Sequence, residues 1–219
     1  MKDVDRGALA LSAALSAVAG FVDAVGFLDT GGLFVSFMSG NSTQGAVGLF
    51  DDGVAVALVS AGIIAAFVLG VTAGAVVSMR ASRPRARVVA GAAAAVAVTA
   101  GLALAGDATL WRAGLLAAAM GALNTLFLAE GRARVAITYA TGTLVSLGLG
   151  LASLVTGRSR TAWRRPLLLW ASLAGGAVIG GVAHRLGSPA ALALAALALV
   201  GASIVIAVRG GSSGVSPRR

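Results

Sequence analysis

The chain has 219 residues, 58% of them hydrophobic and only 11% charged, with a mean hydropathy of +0.94. A soluble domain needs more charge than this to cover its surface, so the composition points to an integral membrane protein. The net charge of +9 comes from 16 arginines and one lysine against eight acids; the arginines sit at the ends of apolar runs, as topology anchors do, so nucleic acid is not the expected partner.

The apolar runs are continuous and near twenty residues long, which reads as helices and not as the alternating strands of a barrel. The fold class expected is an all-α integral membrane protein. Eight segments follow in order, at roughly 8–28, 33–50, 53–79, 88–105, 109–129, 133–157, 166–186 and 189–208. The opening Met-Lys-Asp-Val-Asp-Arg before an apolar run resembles a signal peptide. Cleavage is not expected, because Gly20 and Asp23 in that run have counterparts about 101 residues later. The stretch Gly20-Phe-Val-Asp-Ala-Val-Gly-Phe-Leu28 recurs from Gly121, with Asn124 standing where Asp23 stood, and Phe34-Val-Ser-Phe-Met-Ser-Gly-Asn41 recurs as Ala136-Ile-Thr-Tyr-Ala-Thr-Gly-Thr143. Segments one to four match five to eight. Two repeats are therefore expected, 1–106 and 107–209, followed by a polar tail at 210–219.

Topology follows from the arginines. Arg80, Arg83, Arg85 and Arg87 make one basic loop, and Arg158, Arg160, Arg164 and Arg165 make another. The positive-inside rule places both in the cytoplasm of a bacterial inner membrane, with both termini. That holds only if segments two and six do not cross. Segment two is also unusually polar, with Ser36, Ser39, Asn41, Ser42, Thr43 and Gln44; segment six carries Thr138, Tyr139, Thr141 and Thr143. Irregular backbone at membrane depth is tolerated where protein or a water-filled cavity surrounds it. Both segments read as broken or re-entrant, hinged near Gly40 and Gly142, leaving six full crossings in two inverted-topology repeats. The other reading is two ordinary helices with a polar face in the bundle.

Asp23 is the leading candidate for chemistry. A carboxylate within the bilayer costs about 2.5–3.5 kcal/mol on insertion scales, so it faces the bundle and has a partner. A proton, a cation or hydroxyl donors of segment two would serve; the alternative is a structural carboxyl bonding a broken-helix terminus. With Ser39, Asn41, Thr43, Gln44, Asn124, Thr138, Tyr139, Thr141 and Thr143 it forms the expected solute- or ion-binding set. Glu130 with Arg132 and Arg134 reads as a topology anchor, and the lone His184 beside Arg185 is a poor metal candidate. No metal site, no cofactor beyond a coupling proton or cation, and no catalytic motif is expected. Gly70-Val-Thr-Ala-Gly74 and Gly176-Ala-Val-Ile-Gly180 are small-xxx-small motifs that fit helix packing within the chain or a homodimer seam.

The Gly-x-x-Asp-Ala opening, the Ser39-Gly-Asn41 centre and the Thr138-Tyr-Ala-Thr-Gly-Thr143 echo resemble the YoaK-like family of bacterial multi-pass inner-membrane proteins, a domain of unknown function. The resemblance runs from about residue 8 to 208. Ser39 stands where the family's usual residue is threonine, which keeps the hydroxyl. The family carries no substrate with it. The function expected from the residues is a secondary transporter of a small solute; a passive channel with two half-helices as its filter, or a non-transporting membrane scaffold, are the alternatives.

Overall fold

A computed structural model describes residues 6–50, 54–106, 109–126, 128–129, 132–133 and 140–211. Eight helices account for nearly all of them: α1 (Arg6–Thr30), α2 (Met38–Gly48), α3 (Val54–Arg80), α4 (Pro84–Leu104), α5 (Thr109–Leu123), α6 (Ala140–Val155), α7 (Arg164–His184) and α8 (Ser188–Gly211). A two-residue antiparallel ladder, Leu128–Ala129 with Arg132–Ala133, lies between α5 and α6. Five helices among the described residues are long and apolar enough to cross a membrane: α1, α3, α4, α7 and α8. The chain is thus a multi-pass α-helical membrane protein. α5 and α6 are apolar but shorter, at 15 and 16 residues. At 11 residues α2 rises only about 16 Å, half a bilayer core.

Glycines set the packing. Without a hydrophobic driving force between helices in lipid, association depends on close approach of backbones through small residues. A Cβ on Gly20 of α1 would lie 2.0 Å from the carbonyl oxygen of Leu173 in α7, and one on Gly176 would lie 1.9 Å from that of Ala17. Gly180 meets Phe21 in the same way. These contacts advance in step along both helices, so α1 and α7 run parallel. The pair α3 and α5 repeats the arrangement: Gly70 lies on Ala118, Gly74 on Ala122 and Gly121 on the Phe67 carbonyl. Both Gly-xxx-Gly motifs are occupied within the chain, which leaves neither face for a homodimer seam. The third extensive seam joins α4 and α8, where the Ser203 hydroxyl donates to the Ala86 carbonyl at 3.0 Å, so these helices are antiparallel.

These directions sort the helix ends. Asp29 near the end of α1 meets Arg112 at the start of α5, His184 at the end of α7 and Ser188 at the start of α8. Because α3 runs with α5, its first residue Val54 lies at this end too. α2 therefore begins after a helix that finishes at this end and leads into one that starts here. At the opposite end lie Arg80 and Pro84 of the α3–α4 turn and the start of α7. α5 finishes toward that end and α7 starts there, so α6 is bracketed by it as α2 is by the first.

Helix bounds depart from the expected segments at several places, with α2 starting at Met38 where 33 was expected and α6 at Ala140 where 133 was expected. α4 starts at Pro84, four residues early, because proline suits a first helical turn whose N–H has no partner anyway. α5 ends at Leu123, before the expected 129. The break in the first half falls at Gly31 and Gly32, with φ of +72° and +134°, whereas Gly40 lies inside the first turn of α2 and Gly142 inside that of α6. Positive φ is open to glycine at no steric cost, so the chain reverses there and not at Gly40. Gly40 has a different reason to be small: a Cβ would come within 2.5 Å of the Phe37 ring.

Candidate functional site

Past Gly32 the chain drops back alongside α1 as residues 33–37 and then rises as α2. Gly26 makes room for this, since a Cβ there would lie 2.6 Å from Val35 Cγ1. Non-helical backbone at this depth must find partners for its polar groups. Asp23 supplies two: its Oδ1 accepts the N–H of Val35 and of Ser36, each at 2.8 Å. Asn41 supplies two more, its Oδ1 accepting the N–H of Phe34 at 2.8 Å and its Nδ2 donating to the Phe34 carbonyl at 2.6 Å. Asn41 is fully buried. Thr30 closes the turn, its hydroxyl accepting the Leu33 N–H and lying 2.8 Å from both the Gly26 and Leu33 carbonyls. Phe34 stacks between Phe27 and Phe37, with centroids 4.8 and 5.3 Å away. Asp23 and Asn41, on different helices, thus grip three consecutive residues of the segment between α1 and α2.

The remaining residues of the expected set are placed differently. Ser39 and Thr43 are exposed on α2, with the Thr43 hydroxyl donating back to the Ser39 carbonyl; Ser42 bonds Met38 likewise. Gln44 is half-buried. Asn124 follows the last turn of α5, its Nδ2 donating to the Met120 carbonyl at 2.9 Å. Thr141 is exposed and Thr143 half-buried, both in the first turn of α6. Thr138 and Tyr139 lie outside the described residues, as do Glu130 and Arg134. Asp23 and Asn41 are brought together; the α6 residues have no described contact with them. The partners of Asp23 are the Val35 and Ser36 amides together with the Ser36 side chain, which fits both the hydroxyl donors expected from segment two and the alternative of a structural carboxyl at a broken-helix terminus.

A second polar cluster was not assembled from sequence. Asp29 Oδ2 accepts from Arg112 Nη2 at 2.5 Å and from the Ser188 hydroxyl at 2.6 Å, while Oδ1 lies 2.9 Å from His184 Nε2. Arg112 Nη2 also reaches the Ser188 hydroxyl at 2.6 Å. Asp29 and Arg112 are each only 12% exposed. The cluster ties α1, α5, α7 and α8 at one end. Its hydrogen-bonded partners are 76 to 159 residues apart, so no local motif could reveal it. The one sequence signal was that Asp29, Arg112 and His184 fall on the same expected face. Among the described residues no group of three or more His, Cys, Asp or Glu side chains is placed to hold a metal.

Comparison with known proteins then fixes the family. The profile described as "Protein of unknown function (DUF1275)" matches residues 11–206. The chain belongs to this family. It is also similar to the UPF0700 transmembrane protein RA0705 of Rhizobium meliloti (strain 1021), 37% identical over 205 residues that cover 90% of this chain and 87% of the relative. No solved structure matches. The match spans α1 to α8, so both the Asp23–Asn41 grip and the Asp29 cluster lie within the family's extent.

Proposed function

We propose that the protein is a secondary transporter of a small solute, built from two inverted repeats and working without catalysis. One observation carries this reading. Exchanging the halves, α1–α4 for α5–α8, turns each main packing seam into another: α1·α7 into α5·α3, α2·α3 into α6·α7, and α4·α8 into itself. With α2 and α6 bracketed by opposite ends, the broken segments enter from opposite faces, the arrangement transporters use to build a site near the midplane. α1, α3, α4, α5, α7 and α8 are then the six crossings. The arginine end is cytoplasmic by the positive-inside rule, which sets the protein in the bacterial inner membrane with both termini inside.

In this account the Asp29 cluster holds the outer end closed by tying both halves together, and rocking of one half against the other breaks it. Asp23 couples a proton or cation to the re-entrant strand. Ionised, it accepts the amides of Val35 and Ser36; neutralised, it is a weaker acceptor and loosens that strand. The polar face of α2, through Ser39, Thr43 and Gln44, lines the path together with Thr141 and Thr143.

The test is uptake of a panel of small solutes into proteoliposomes under an imposed pH gradient. Saturable uptake that Asp23→Asn uncouples, with the melting temperature kept near wild type, is the expected result. Fast, unsaturable flux indifferent to Asp23→Asn makes the protein a channel; no flux for any solute, with stability alone affected, makes it a scaffold.

A further inference from the structure

The arginine end and one apolar groove fall on the same helix face. Between α4 and α8 the seam is not filled: a groove of about 240 Å³ is lined by Ala90, Ala93, Ala94 and Ala97 on one side and Val200, Ser203 and Ile204 on the other. On α4 the positions 87, 90, 94 and 97 are spaced by three and four, which is one helical face, and Arg83 precedes the helix as its N-cap. Arg87 thus stands one turn above the groove and Arg83 one turn beyond it, both exposed. The Ser203–Ala86 hydrogen bond fixes the two helices at that mouth.

Among the described residues the charge at this end is unbalanced. The loops of Arg80–Arg87 and Arg158–Arg165 are brought together there, and the only two acids among the described residues, Asp23 and Asp29, serve the re-entrant strand and the opposite end. No described carboxylate is available to Arg83 or Arg87. An occupant needs an apolar chain for the groove and an anionic group at the membrane surface for the arginines. We propose that this groove is a binding site for an anionic phospholipid, one acyl chain lying along Ala90, Ala94 and Ala97 and the headgroup phosphate paired with Arg83 and Arg87.

The experiment uses the full chain, purified in detergent and offered phosphatidylglycerol or phosphatidylcholine, with retained lipid read by native mass spectrometry. Wild type should keep phosphatidylglycerol in preference to phosphatidylcholine. Arg83→Gln with Arg87→Gln should weaken retention about 30-fold, from roughly 1 kcal/mol per arginine at an anionic surface. Ala94→Leu, which fills the groove and leaves the arginines intact, should reduce it as well. Equal retention of the two lipids by wild type overturns the proposal without recourse to any variant. So does undiminished phosphatidylglycerol on the double arginine variant. If Ala94→Leu leaves lipid unchanged but alters the oligomeric mass, the groove is a seam between copies of this chain and the lipid site is wrong.

Discussion

At the scale of residues, two acids divide the work. Asp23 holds a strand: removing its side chain leaves the amides of Val35 and Ser36 without an acceptor, at about 1–3 kcal/mol each. Asp23→Asn keeps an acceptor oxygen, so its melting temperature should stay well above that of Asp23→Leu, and equal losses would mean that the carboxylate is not the strut. Asn41 tolerates less, because the Phe34 carbonyl needs a donor and the Phe34 amide an acceptor; Asn41→Asp should be destabilising although it is nearly isosteric. Asp29 and Arg112 form a nearly buried pair whose disruption at one partner costs about 3–5 kcal/mol. Arg112→Met should be more damaging than Asp29→Leu combined with Arg112→Met, which a double-mutant cycle on thermal unfolding measures. Sequence alone pointed to Asp23 because a carboxylate in an apolar run demands a partner. It offered the hydroxyls of segment two or a broken-helix terminus, and both kinds of donor meet Asp23 at Val35 and Ser36, but the amides themselves carry no side-chain signature. The pairing of Asp29 was not legible, because Arg112, 83 residues on, becomes its neighbour only after four helices assemble.

At the scale of elements, glycine position separates packing from tolerance. Gly176 and Gly70 face backbone at about 2 Å from a would-be Cβ, whereas Gly91 and Gly62 face open space. Gly176→Leu and Gly70→Leu should therefore each separate a parallel helix pair and abolish folded yield. Gly91→Ala should be neutral or stabilising by up to about 1 kcal/mol, as expected for glycine in a helix interior. Size-exclusion profiles and melting curves of the three variants check this; a tolerated Gly176→Leu would contradict the packing scheme. The Gly-xxx-Gly pairs were legible as close-approach motifs, but not which helix each would meet. Likewise the polarity of segment two marked a broken element. The reversal itself uses Gly31-Gly32, a dipeptide whose turn signal is overshadowed by the neighbouring polar run.

At the scale of the whole molecule, the internal similarity noticed around Gly20 and Gly121 becomes a scheme of seams that exchange with one another. That scheme accounts for both arginine loops at one end and the Asp29 cluster at the other, and in the proposed function the two polar stretches form a path entered from both faces. Asymmetry persists inside it: Asp23 carries a titratable carboxylate where Asn124 carries a neutral amide. A proton or cation would therefore act on one half only.

The inverted arrangement is the central claim, and the absence of cysteine from the chain makes it directly measurable. Single cysteines replacing Arg83, Arg160 and Phe50 would be labelled with a membrane-impermeant maleimide in sealed, oriented vesicles. The account predicts that Arg83→Cys and Arg160→Cys react from the same side and Phe50→Cys from the other. Labelling of Arg83→Cys and Arg160→Cys from opposite sides would mean that α6 crosses, and would contradict it.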